Sequence, residues 1–172
     1  MKKSEVMKKF LKSEIGDFKR VLDVGCGEGS TSIYLASNLN CIVEGIDVEK
    51  GKLHRAMKRF DENSAKGLVL CHFCDCRKVD KKFSGESFDF VIIVHALHHL
   101  CDLSIVLPKL RGVLKKGGEL IIMEYEKSYG EKLDNCPRFS PMKINSMLRT
   151  AGFRNLVSRD VISDFVTVIA MK

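Results

Sequence analysis

No stretch of this sequence is long enough and apolar enough to cross a bilayer. None approaches the roughly 18 to 20 uninterrupted apolar residues that a spanning helix needs, and the first residues carry Lys2, Lys3, Lys8, Lys9 and Lys12 where a secretory leader has an apolar core and a small-residue cleavage site. A cytoplasmic protein without membrane contact is expected. Internal repeats and low-complexity tracts are also lacking, so residues 1–172 read as one domain. Tryptophan is absent, aromatic residues make up 8%, and nowhere do they interleave with basic residues as on nucleic-acid platforms. The formal charge of +7, much of it in the N-terminal lysines, therefore reads as a solvated face. Nucleic acid stays open as a partner with no motif behind it.

The cysteines follow the same logic. Seven is an odd number, they are scattered through apparent strands and helices, and a chain of this size needs no stapling, so free thiols are expected. Cys71, His72, Cys74 and Cys76 invite a zinc reading, but no second C-x-x-C pair follows. On an extended strand, moreover, Cys74 and Cys76 share a face that Cys71 and His72 cannot both join. No metal is expected.

What is present is a globular composition, 45% apolar against 30% charged. Val6, Met7, Phe10, Leu11 and Ile15 recur at helical spacing and predict an N-terminal helix over 3–15 within segment 1–16. Short β-branched runs at 20–24, 41–46, 67–73, 88–94 and 119–124 alternate with helical patterns at 30–38, 49–65 and 103–114. Residues 126–140 hold charges, Gly130, Pro137 and no clean period, and read as a lid loop under which an acceptor would enter. A helix over 140–150 precedes two runs, 153–159 and 165–171, whose short link predicts an antiparallel hairpin, because a parallel crossover needs about a dozen residues. The alternation predicts an α/β, Rossmann-like, doubly wound sheet.

In such sheets ligands bind beyond the carboxyl ends of the strands, where strand order reverses. Asp23-Val24-Gly25-Cys26-Gly27-Glu28-Gly29 stands at the first such end. Its glycines permit positive φ and close approach of a ligand to the backbone. Asp47 lies 22 residues after Gly25, at the end of the second strand, where a carboxylate can accept from both ribose hydroxyls. Asp75 ends the third strand.

With these pieces go Val21-Leu22, Gly45-Ile46-Asp47, Cys74-Asp75-Cys76, Phe88-Asp89-Phe90-Val91, Leu97-His98-His99-Leu100, Leu114-Lys115-Lys116-Gly117-Gly118-Glu119-Leu120 and Leu148-Arg149-Thr150-Ala151-Gly152-Phe153, in that order. Together they resemble class I S-adenosylmethionine-dependent methyltransferases, and within them small stand-alone proteins with a ubiquinone/menaquinone-methyltransferase-like (type 11) domain. The resemblance implies a seven-stranded sheet of order 3-2-1-4-5-7-6 with strand 7 antiparallel, and S-adenosylmethionine as cofactor. It places Asp23 and the backbone near Gly25 and Gly27 at the methionine moiety, Asp47 at the ribose, Asp75 with the Cys76 backbone at the adenine, and His95 near the methionine part, with Cys26 and Val48 as further cofactor-binding residues.

Methyl transfer from a sulfonium is an in-line displacement governed by alignment, and a base is needed only for weakly acidic nucleophiles. His98 is the candidate base, and Glu124 and Tyr125, ending the fifth strand, are candidate substrate contacts. A small-molecule acceptor is expected. Two alternatives stay open: a cofactor-binding subunit that needs a partner, and a protein acting on RNA. A nicotinamide-dependent oxidoreductase is disfavoured because G-x-G-x-x-G would require glycine where Ser30 stands.

Overall fold

The computed structural model describes residues 2–63, 68–126 and 138–172. The chain runs α1 (Lys3–Ile15), β1 (Arg20–Val24), α2 (Ser30–Leu39), β2 (Ile42–Asp47), α3 (Lys50–Glu62) and β3 (Val69–Phe73). A 3-10 turn, Cys76–Lys78, then leads into the single-turn α4 (Val79–Lys82). Next come β4 (Phe88–Val94), a second 3-10 turn (Leu97–His99), α5 (Leu103–Val113), β5 (Leu114–Tyr125), α6 (Pro141–Thr150), β6 (Arg154–Arg159) and β7 (Phe165–Met171). The seven strands form one sheet of order β3-β2-β1-β4-β5-β7-β6. The pairs β1–β2, β1–β4, β2–β3 and β4–β5 are parallel, while β7 runs antiparallel to both β5 and β6. This is the predicted Rossmann-like order. Among the described residues no helix is long and apolar enough to cross a membrane.

Both faces of the sheet are covered, and alternation along each strand decides which side chain goes where. Leu22 and Val24 of β1, Val91 and Ile93 of β4, and Leu120 and Ile122 of β5 pack with Val106, Leu110, Ile144 and Leu148 of α5 and α6. Val21, Ile92, Ile121 and Met123 face the other way, against Met7, Leu11 and Ile15 of α1, Leu35 and Leu39 of α2, and Ala56 and Phe60 of α3. The N-terminal lysines are thus the outer side of a helix whose inner stripe is core.

Strand β5 is longer than the sequence indicates, starting at Leu114 rather than Glu119. Phe88 pairs with Leu114, the register shifts before Phe90 pairs with Glu119, and Gly117 takes a φ of +76° inside the irregularity. The Lys115-Lys116-Gly117-Gly118 stretch is therefore a bulged continuation of the strand, in which glycine supplies the positive φ. The two short turns at 76–78 and 97–99 carry no periodic signal and do not appear in the sequence pattern. Of the candidate lid at 126–140, residues 127–137 lie outside the described residues.

Candidate functional site

The turn after β1 is shaped by close contact. Gly25, Gly27 and Gly29 have φ of +73°, +54° and +74°. A Cβ on Gly25 would stand 2.5 Å from the Cβ of Ala96, so position 25 excludes a side chain on both conformation and space. The turn is laced to β2: the Gly25 and Cys26 amides donate to the Ile46 carbonyl at 2.8 and 3.1 Å, and the Gly29 amide donates to the Cys26 carbonyl at 2.9 Å. The Gly27 amide donates to Asp47 Oδ2 at 2.9 Å, while Asp47 Oδ1 accepts from the Glu49 amide at 2.8 Å. Each carboxylate oxygen thus uses one lone pair within the protein and keeps acceptor capacity.

Beyond these strand ends lies a cleft of about 340 Å³, within the size range of small-molecule sites, roughly 300 to 1,000 Å³. It lies between the ends of β1 and β4, where strand order reverses. Val24, Gly25 and Gly27 form one wall; Ile46, Asp47, Val48, Glu49 and Lys52 form the second. Cys74 and Cys76 come from the end of β3, and His95, Ala96, His99 and Leu100 from the exit of β4. Six candidates from the sequence therefore meet here: Gly25, Gly27, Asp47, Val48, Cys76 and His95.

The other candidates are placed elsewhere. Asp23 is buried below the turn on the α2 side of the sheet, where the Ser32 hydroxyl donates to it at 2.6 Å. Burial pushes its carboxyl up to about 6, against the Ser32 hydrogen bond, with the charge of Asp47 adding to the rise. Cys26 turns its thiol away from the cleft, toward Cys71. The Asp75 carboxylate is gripped by the Arg77 guanidinium at 2.6 to 3.1 Å and also accepts the Arg77 amide at 2.9 Å, which lowers its pKa to about 2. Cys74 and Cys76 on either side of it line the cleft while Asp75 caps the 3-10 turn.

His98 and Glu124 are both buried, as a pair. His98 Nδ1 lies 2.7 Å from Glu124 Oε2, which also accepts the His98 amide at 3.3 Å, and Glu124 Oε1 accepts the Tyr125 amide at 2.8 Å. The Arg138 guanidinium stands 3.7 Å from Oε1. Tyr125 packs its ring on His95 and Phe165, with centroids 4.7 and 4.6 Å apart. His95 itself has a φ of +55°, its Nε2 lies 3.3 Å from the Met7 sulfur of α1, and burial holds its pKa below the usual histidine value.

Sequence reasoning did not single out Val24, Ile46, Glu49, Lys52, Cys74, Ala96, His99 and Leu100 as site residues, although they line the cleft. Lys52 was accessible in principle, since it sits on the first turn of the helix that follows Asp47, where its ammonium pairs with Glu49. Nothing in the sequence separates His99 from His98. In a 3-10 turn neighbouring side chains diverge by about 120°, and the structure sends His98 inward and leaves His99 exposed on the wall, ring centroids 3.8 Å apart.

Asp23 yields a prediction of its own. Because its folded pKa lies above the ordinary 3.8, the folded state binds the extra proton between pH 4 and 6, and this group's contribution to stability falls as pH rises through that window. Above pH 6 the ionised, buried carboxylate costs about 3 kcal/mol, at about 1.4 kcal/mol per pH unit. Asp23→Asn keeps the acceptor for Ser32 without the charge. It is expected to raise resistance to urea at pH 7.5 and to leave it unchanged near pH 4. Equal effects at both pH values, measured by circular dichroism, would show that Asp23 is not desolvated.

A seven-stranded sheet of this order, its antiparallel strand next to the edge, with an acid-tipped β2 facing a glycine turn, defines the Rossmann-like methyltransferase class. Residues 15–152 match the family described as Methyltransferase domain, and the chain belongs to it. Phosphoethanolamine N-methyltransferase 1 of Zea mays is 27% identical over 176 residues, covering 96% of this chain and 34% of its own length. O-methyltransferase cnsE of Penicillium expansum is 27% identical over 153 residues, 83% of this chain and 55% of its own length. The chain thus spans between a third and just over half of these curated relatives. A solved S-adenosylmethionine-dependent methyltransferase from Aquifex aeolicus shares the fold at a TM-score of 0.84 and 24% identity, over 97% of this chain and 89% of that one.

Proposed function

We propose that the cleft binds S-adenosylmethionine and that the protein transfers its methyl group to a small nucleophilic acceptor in the cytosol. The observation that carries this reading is how the turn spends its amides. A phosphate-binding turn aims free N–H groups at its ligand, whereas here the amides of Gly25, Cys26, Gly27 and Gly29 are all engaged inside the protein. What faces the cleft is glycine backbone beside a carboxylate, which suits a ligand with ribose hydroxyls and a thioether chain and no pyrophosphate. A nicotinamide dinucleotide is disfavoured on another ground, Ser30 standing where its glycine fingerprint needs a third glycine.

Asp47, with Val48 exposed beside it, receives the ribose, and Cys74 and Cys76 border the adenine. Gly25 and Gly27 allow the methionine part to lie against the main chain. Asp23 acts from below: a positively charged ligand above the turn favours its ionised form. When bound, S-adenosylmethionine supplies an electrophilic methyl group on a sulfonium. The chain's part is to align the acceptor and exclude water. His98, buried against Glu124, holds the loop that brings His95 and His99 to the cleft. The curated relatives act, by their names, in N- and O-methylation, which favours a small acceptor here too.

Isothermal titration with S-adenosylhomocysteine and S-adenosylmethionine tests the cofactor reading, and no binding by either at millimolar concentration rules it out. Release of S-adenosylhomocysteine over panels of small amines, phenols and RNA then decides among a small-molecule enzyme, an RNA-acting enzyme and a subunit that binds without turnover.

A further inference from the structure

Two sulfurs meet behind the glycine turn. Cys26 Sγ and Cys71 Sγ are 3.9 Å apart, although the two residues belong to the exit of β1 and to β3, with β2 between them. They meet over Gly45 of that middle strand. A Cβ built on Gly45 would stand 2.8 Å from Cys26 Sγ and 3.0 Å from Cys71 Sγ. Since Gly45 does not have a positive φ, its backbone would accept any residue, and the room it leaves is what the sulfurs occupy. The partners differ in access: Cys26 is buried, whereas Cys71 is half-buried on an edge strand. Cys71, the more accessible of the two, is therefore the sulfur that meets an oxidant first, while the hydrogen bond with Cys71, together with burial, holds the Cys26 thiol above its usual pKa.

We infer that Cys26 and Cys71 are a modification site: a hydroperoxide converts them to a reversible disulfide that closes the cleft to its ligand. The second half rests on the cleft being the S-adenosylmethionine site. The Cys71 thiol gives up its proton and attacks the peroxide: a sulfur–oxygen bond forms, the oxygen–oxygen bond breaks, and the distal oxygen leaves with that proton as water or alcohol. The Cys26 sulfur then displaces the hydroxyl from Cys71. A sulfur–sulfur bond forms, the sulfur–oxygen bond breaks, and the Cys26 proton departs with the hydroxyl as water. Two thiols are oxidised by two electrons in all, and one peroxide is reduced by two.

The sulfurs must close from 3.9 Å to about 2.05 Å, and the pull falls on the turn. The Cys26 amide donates to the Ile46 carbonyl at 3.1 Å, and the adjacent Gly27 amide donates to Asp47 at 2.9 Å. Dragging Cys26 toward β3 therefore disturbs the contact between Gly27 and the ribose-facing carboxylate. Reduction by a dithiol restores the starting geometry.

The experiment uses the full chain, reduced, then treated with hydrogen peroxide, then returned to dithiothreitol. Peptide mass mapping and titration with S-adenosylhomocysteine are run at each stage. The expected result is a Cys26–Cys71 cross-linked peptide, a loss of affinity of at least about tenfold, and recovery on reduction. Cys71→Ser is expected to bind like the unmodified protein and to ignore peroxide. Cross-links to Cys74 or Cys76 in its place, a sulfinic end product, a cross-link that leaves affinity unchanged, or a Cys71→Ser protein as peroxide-sensitive as the wild type each overturn the inference. If the reduced protein binds no S-adenosylhomocysteine, the functional reading fails; if no Cys26–Cys71 peptide forms, the disulfide fails. Separate measurements report the two failures.

Discussion

Asp47→Ala is expected to weaken S-adenosylhomocysteine binding by about 100-fold, and Asp47→Asn by about tenfold, with the fold intact in both. The carboxylate has two duties. Within the protein it ties the turn to the start of α3 through the Gly27 and Glu49 amides at 2.9 and 2.8 Å. In the complex proposed above, its remaining lone pairs would accept the ribose hydroxyls. Hydrogen bonds to a charged group are worth about 1.5 to 3 kcal/mol each, and loss of two at the lower figure amounts to about 3 kcal/mol, or about 100-fold at 1.4 kcal/mol per decade. Asparagine keeps one acceptor oxygen and forfeits the charge, hence the smaller loss. Calorimetric titration of the three proteins at one pH and salt concentration is the check. Affinity within threefold of the wild type for Asp47→Ala would place the ligand elsewhere.

Asp47 was legible because its signal is local and redundant: a short β-branched run, a terminal acid, and a fixed distance from a glycine turn that itself ends a strand. The hairpin of β6 and β7 was legible for a similar reason, since a link of a few residues leaves no room for a crossover. The doubly wound sheet was legible in the alternation of strands and helices, whereas the full strand order came only from the family resemblance of the motifs. Less legible was anything that depends on which way a side chain turns at an element's end. His98 and His99 are adjacent and chemically identical, and only the placement of the 3-10 turn against β5 sends one inward. Asp75 was readable as a strand-end acid but not as one already gripped by Arg77, because a contact two residues away along an exposed turn has no periodicity. Cys26 reads as part of the turn by sequence, while its thiol belongs to a packing arrangement set by Gly45 and Cys71 on other strands.

Glu124 shows the limit most clearly and carries the largest expected effect on stability. Read as a strand end, Glu124-Tyr125 suggests two residues looking into one crevice. Alternation forbids that: Leu120 and Ile122 face the α5 and α6 side, Ile121 and Met123 the α1 side, so Glu124 continues the first face and Tyr125 the second. Glu124 consequently ends fully buried between His98 and Arg138, whose side chains are 4% and 1% exposed. Glu124→Ala removes the carboxylate that faces a buried guanidinium and a buried imidazole, and breaking a buried pair in this way costs about 3 to 5 kcal/mol. For a chain of this length that corresponds to a fall in Tm of roughly 10 °C, at about 2 to 4 °C per kcal/mol. Glu124→Gln keeps the volume and one acceptor and is expected to lose less than half as much. With no tryptophan in the chain, thermal unfolding is best followed by far-ultraviolet circular dichroism. A Glu124→Ala protein that melts within 2 °C of the wild type would mean that the His98 and Arg138 contacts contribute nothing net. A protein that melts early yet binds S-adenosylhomocysteine normally would confine the pair to stability. Loss of both is the expected outcome, because the loop that Glu124 pins through His98 carries His95, Ala96, His99 and Leu100 to the cleft wall.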